Sequence, residues 1–120
     1  MRYLWRDVER RSHPRYRVWL PAQVDELKEG VAVTHDASPS GVKMVAASTL
    51  EVGTTVNISL QLPPNGERER HVTGKVVRVE CNQADPLGMW PHRIAVEFDD
   101  VDEELESLLR ELASMLQPGT

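Results

Sequence analysis

Two short stretches hold the residues whose types and spacing could do chemistry. The first is Arg10-Arg11-Ser12-His13-Pro14-Arg15, with Arg11 and Arg15 framing three residues. A guanidinium offers a planar fork of donors that fits a phosphate, or the O6/N7 edge of a guanine, in bidentate fashion. Pro14 pushes His13 toward extended geometry, so the arginines are expected on a loop or arm rather than a helix. The second stretch is Asp36-Ala37-Ser38-Pro39-Ser40-Gly41. Asp36 can accept hydrogen bonds from the N1 and N2 groups of a guanine, and Ser38 can donate to a phosphate oxygen. Gly41 removes a side chain where the backbone must bend or approach something closely. Each stretch also has a plainer reading. Arginine runs are often only solvated, and Asp, Ser, Pro and Gly are what any surface turn prefers.

The elements that must position these stretches are mostly strands. From Arg17 to Val24, Val18, Leu20, Ala22 and Val24 alternate with other residues, and Pro21 points to an edge or bulge there. Glu29-Gly30 turns into a short strand, Val31 to His35, and the Asp36–Gly41 stretch reads as a loop before Val42 to Val45. Val56, Ile58, Leu60 and Leu62 place one face of Thr54 to Leu62 inward, and Pro63-Pro64-Asn65-Gly66 follows as a turn. His71 to Val79 and Arg93 to Phe98 complete the set, separated by a loop from Cys81 to Pro91. Five or six strands at short spacing without intervening helices argue for a small antiparallel barrel or sandwich. The tail changes period. Leu105, Leu108, Leu109, Leu112, Met115 and Leu116 recur at three and four, one face of a helix that covers the chain's own core or meets a partner. Asp100 and Glu103 have the spacing of a capping box.

At 120 residues, 40% hydrophobic and 28% charged, the chain has the size and composition of one globular domain. Such a chain buries ~65% of its unfolded surface. No window approaches the ~20 apolar residues of a membrane span, and the start lacks the features of a secretory signal. Cys81 has no partner for an internal disulfide, so a cytoplasmic address is the expectation. The net charge of −5 hides two opposed ends. Arg2, Arg6, Arg10, Arg11, Arg15 and Arg17 stand against Asp7 and Glu9, whereas acids crowd residues 97–111. An acidic total argues against non-specific coating of nucleic acid, while a small anionic ligand needs only a few local cations.

Taken together, RxxxR (Arg11 to Arg15) before a first strand and DxSxxG (Asp36 to Gly41) some twenty residues on resemble the PilZ domain, a family of bacterial receptors for cyclic di-GMP. The resemblance runs from about Glu9 to Phe98 and extends to the closing acidic, amphipathic helix. Gly53, Gly74-Lys75-Val76-Val77-Arg78-Val79 and Ile94-Ala95-Val96-Glu97-Phe98 are weaker echoes. It implies a mainly β fold, a small six-stranded antiparallel β-barrel with a C-terminal α-helix at about 100–116. Residues 1–9 would be an N-terminal arm and 10–120 the domain. The resemblance assigns Arg11 and Arg15 to guanine edges and phosphates, Asp36 to guanine, Ser38 to phosphate, and Gly41 to the close passage of the loop. Arg10, directly before the motif, implies a stacked, intercalated pair of ligand molecules. A ligand touching both stretches would draw the arm onto the barrel, an ordering event that an unidentified protein partner would read. No cofactor beyond this ligand is implied.

The remaining candidates carry less. His13, His35, His71 and His92 are scattered without metal-ligand spacing, and no catalytic constellation emerges, so the chain does not read as an enzyme. Trp19 reads as packing on a strand, and Cys81 as a small, partly buried residue. Trp5 and Trp90 could stack on bases, and Trp90 could instead contact a partner or cover a barrel end. The rival readings are a small-barrel nucleic-acid-binding protein using the same arginines, and a PilZ-like adaptor that no longer binds the nucleotide.

Overall fold

The computed structural model describes residues 15–62 and 68–115. Six strands close into an antiparallel barrel: β1 (Leu20–Val24), β2 (Val31–Ser38), β3 (Gly41–Ala46), β4 (Thr55–Leu62), β5 (Arg68–Cys81) and β6 (His92–Phe98). Their order around the barrel is β1-β2-β3-β6-β5-β4, with β4 pairing back onto β1. A helix, α1 (Glu103–Met115), follows. Among the described residues no helix is long and apolar enough to cross a membrane.

The alternation seen in the sequence fills the barrel. Leu20, Ala22 and Val24 from β1, Val42 and Met44 from β3, the four apolar residues of β4, and Ile94, Val96 and Phe98 from β6 are buried together. Full burial of an aliphatic side chain is worth ~1.5–3 kcal/mol, so this interior is the main source of stability. Leu105, Leu109 and Leu112 of α1 join the same cluster, so the helix covers this chain's own core. Pro21 needs no edge. Leu20 and Val24 direct their amides toward β2, which leaves Pro21 facing β4, and the β1–β4 ladder begins only at Ala22.

Four details depart from the sequence reading. The Asp36–Gly41 stretch is not a loop: Asp36, Ala37 and Ser38 end β2, Gly41 begins β3, and only Pro39 and Ser40 turn the chain. The helix is capped by Asp102 rather than Asp100, its Oδ1 accepting from the Leu105 amide at 3.0 Å. Trp19 is 68% exposed instead of packed inside. Cys81 ends β5 and is exposed.

Two bulges determine which residues face outward. On β2, Ala32 and Thr34 point inward, and strict alternation would carry Asp36 in after them. The pairing with β3 instead jumps from Thr34↔Met44 to Asp36↔Lys43, leaving His35 as an extra residue. One extra residue reverses the side-chain phase, so Asp36 faces out and Ala37 in. On the other side of β2, at the end of the β1–β2 ladder, the hydroxyl of buried Thr34 accepts from the Leu20 amide at 3.3 Å and lies within reach of the Val18 and Leu20 carbonyls. On β5 the pairing with β6 jumps from Val76↔Val96 to Arg78↔Ala95, with Val77 extra. Val72, Gly74 and Val76 are inward, and the shift turns Arg78 to solvent.

Candidate functional site

Arg15, the last residue of the first motif, meets Asp36, the first residue of the second, on the outer face of the barrel. Arg15 donates from Nε to Oδ1 of Asp36 at 2.9 Å, across 21 residues of sequence. What holds them is local. The Tyr16 amide donates to the Ala37 carbonyl at 2.8 Å and the Ala37 amide returns the bond at 2.9 Å, so the segment entering β1 lies against the end of β2. Arg15 is therefore not on a free arm, as the sequence suggested, but is pinned by its neighbour. Its side chain and that of Asp36 are 29% and 18% exposed, so the pair is partly shielded from solvent yet open to an arriving molecule. The bond engages Nε and leaves the terminal nitrogens of Arg15 without a partner among the described residues. Arg10 and Arg11 lie outside the described residues.

Ser38 and Gly41 play structural parts here. Ser38 is fully buried; its hydroxyl accepts from the Ser40 amide at 3.2 Å and lies 3.1 Å from the Ser40 hydroxyl. A phosphate would reach it only if the Pro39–Ser40 turn moved. Gly41 sits opposite Glu97 in the β3–β6 ladder, and a Cβ there would fall on the Val96 carbonyl oxygen, far inside van der Waals contact. The glycine permits close approach of backbone to backbone. The turn between them is also tied to the helix: Asp102 donates its amide to the Pro39 carbonyl at 2.8 Å, and Phe98 donates to Ser40 at 2.9 Å.

The helix start is clamped independently. Arg70 on β5 forms a two-pronged pair with Asp102 (Nε–Oδ2 2.7 Å, Nη2–Oδ1 2.8 Å) and reaches Glu104 at 3.0 Å. Burial alone would raise the Asp102 pKa, but the Arg70 bonds and the Leu105 amide outweigh it and the net displacement is downward. This Arg70 is spoken for, and so are Arg15 and Arg110, the latter by Glu106.

Reading the pairings across the barrel gives one row on the outer face: Asp36 on β2, Lys43 on β3, Ala95 on β6 and Arg78 on β5. A cleft of about 80 Å³ lies beside it, lined by Arg15, Ser40, Lys43, Ala95, Arg78 and Glu97 among others. The sequence reading assigned no role to Lys43 or Arg78: nothing local marks Lys43, and Arg78 falls only within a weak echo. One signal was available: Arg78 stands where alternation would bury a guanidinium, which a bulge must prevent.

Beyond Asp36, exposed Trp19 tilts against His35 with ring centroids 5.7 Å apart. Among the described residues the buried His35 Nε2 has no hydrogen-bond partner, nor has Nε of nearby Arg93. Burial, and then the Arg93 charge, lower the His35 pKa, so the ring stays neutral at neutral pH. Among the described residues no group of three or more His, Cys, Asp or Glu is placed to hold a metal ion.

Comparison with known proteins places this arrangement. No curated protein matches by sequence. Among solved structures, the chain resembles the Bacillus subtilis inhibitor of motility MotI/DgrA (TM-score 0.67, 16% identity, 88% of this chain and 50% of that one). It also resembles the PilZ domain of Escherichia coli YcgR solved with c-di-GMP (0.62, 16%, 89% and 91%). A third match is the K. pneumonia MrkH–c-di-GMP complex (0.61, 17%, 87% and 51%). The chain thus spans about half the length of the MotI and MrkH chains. At these identities the likeness is one of fold. The family model described as PilZ domain matches residues 9–114, nearly the whole barrel and helix, and the chain belongs to the PilZ domain family.

Proposed function

We propose that this domain is a receptor for cyclic di-GMP that carries no enzymatic activity of its own. The observation that supports it best is the 2.9 Å contact between Arg15 and Asp36, which joins the end of the arginine motif to the start of the DxSxxG motif on one patch of barrel surface. Two related structures, of YcgR and MrkH, are complexes with c-di-GMP. Arg15 and Arg11 are assigned to guanine edges and phosphates, Asp36 to guanine, and Ser38 to a phosphate once the turn yields; Gly41 keeps that turn close to β6. With Arg10 before the motif, the ligand is taken as a stacked pair. The bound ligand draws the residues before Arg15 onto the barrel beside it, and a protein partner in the cytoplasm reads the change.

Titration calorimetry with cyclic di-GMP, beside a short oligonucleotide, tests this. Wild type is expected to bind the dinucleotide, with Arg11→Ala and Arg15→Ala each at least tenfold weaker, a change of ~1.4 kcal/mol per decade. The ~1.5–3 kcal/mol of one charge-assisted hydrogen bond is enough to supply a decade or more. The Arg15–Asp36 pair itself is worth only ~0–1 kcal/mol to folding, so the variant should remain folded. No heat with cyclic di-GMP, or binding of the oligonucleotide instead, would overturn the reading. Unchanged amide exchange of residues 2–15 on saturation would refute the ordering step alone.

A further inference from the structure

We propose that Lys43 and Arg78, on either side of Ala95, form an anion subsite that takes one phosphate of the ligand; the proposal rests on the receptor reading above. The first argument is placement. Lys43, Ala95 and Arg78 are consecutive in the row that begins at Asp36, so the two cations stand two strand spacings apart, ~10 Å between backbones. Both side chains are long enough to lean over the alanine between them. Because Ala95 ends at Cβ, it leaves the floor of the cleft open where its neighbours close it.

The second argument is the bulge at Val77. Alternation would send Arg78 into an interior built from Val72, Val76, Ile94 and Val96, where an unpaired guanidinium cannot stay. Here the extra residue turns Arg78 onto the face already occupied by Arg15 and Asp36, and lets Val79 pack on the core in its place. Bulges that re-aim one side chain are over-represented beside binding sites.

The third argument is charge. Arg15, Arg70 and Arg110 each make an ion pair, whereas neither Lys43 nor Arg78 has a hydrogen bond or ion pair with the described residues. Two cations without a partner among the described residues, beside Arg15 in one cleft, repel, and an anion between them removes that repulsion. Glu97 lines the same cleft two residues further along β6, which restricts the anion to the Ala95 row. A ligand with two phosphates can then place one at Arg15 and the other at Lys43 and Arg78.

The test is calorimetry with cyclic di-GMP on wild type, Lys43→Gln, Arg78→Gln, Ala95→Glu and, as a control away from this face, Lys28→Gln. The substituted side chains point outward, and urea midpoints verify that the variants fold. Lys43→Gln and Arg78→Gln are each expected to weaken binding about fivefold or more, Ala95→Glu to abolish it, and Lys28→Gln to stay within about twofold. Inorganic phosphate at millimolar concentration should compete with the dinucleotide on wild type and lose that effect in the Lys43→Gln/Arg78→Gln double variant. If both single variants bind like wild type while Arg15→Ala does not, the subsite is refuted and the receptor reading stands. Equal phosphate competition in wild type and double variant would likewise place the anion elsewhere. A wild type that binds nothing overturns both.

Discussion

Replacing Gly41 with alanine separates two roles that a motif glycine can have. In the structure the added Cβ meets the Val96 carbonyl oxygen far inside van der Waals contact, with the Val96 carbonyl carbon and Glu97 Cα each at 3.4 Å. All three are backbone atoms of β6, so no side-chain rotation relieves the overlap. The strands must part at the Gly41↔Glu97 pair, beside the buried Val42↔Val96 pair. Overpacking of this kind costs ~1–3 kcal/mol, and loosening one ladder hydrogen bond adds ~1 kcal/mol. The sum, ~2–4 kcal/mol, is a large part of the ~5–15 kcal/mol that holds a domain folded. Gly74→Ala should behave alike, because its Cβ would fall on the Glu97 carbonyl oxygen, although Gly74 lies outside both motifs. Gly53→Ala is the contrast. Its φ is 96°, but nothing lies within 4 Å of the new Cβ, so only backbone strain of ~1–2 kcal/mol applies. Urea denaturation followed by circular dichroism measures all three. The reasoning fails if Gly41→Ala is as stable as wild type and still loses cyclic di-GMP, since the glycine would then serve the ligand and not the ladder.

Two further outcomes concern the helix clamp and the buried imidazole. Asp102→Ala removes the cap and the partner of Arg70 together. It is expected to cost ~1–3 kcal/mol in urea unfolding, and Glu104→Ala, losing only the exposed arm of the clamp, ~0–1 kcal/mol. Equal losses in the two would refute the cap assignment. Because the folded Asp102 pKa lies below its ordinary 3.8, its contribution is complete above that value and is lost as pH falls through the lower folded value. His35 acts in a different window. Its folded pKa is below 6.5, so the unfolded chain takes up the proton first, and stability declines as pH drops from about 6.5 toward that lower folded value. Urea midpoints between pH 7.5 and 5 should fall less steeply in His35→Gln than in wild type; parallel slopes would show that this ring is not the group responsible.

Much of the architecture was legible because barrel strands and surface helices bury one face each. Val56, Ile58, Leu60 and Leu62 fixed β4 to within a residue, and the leucine spacing located α1 and its covering role. Composition misled at Asp36–Gly41. Asp, Ser, Pro and Gly suit a six-residue loop, yet two residues suffice to reverse the chain once Ser38 satisfies the turn from within. Trp19 misled in the other direction, since a large aromatic beside an alternating run looks like core, but it stands out of phase with Val18 and Leu20.

From the chain of residues alone came the strand and helix faces, and the pairing of an arginine motif with an acidic turn that suggested a nucleotide ligand. These are local matters, set by period and by the chemistry of single side chains. Whether Asp36 and Arg78 point to water or into the barrel was decided by two inserted residues, His35 and Val77, and their effect exists only in register with a neighbouring strand. Lys43 and Ala95 likewise became neighbours of the site only because β3 and β6, some fifty residues apart in sequence, lie side by side.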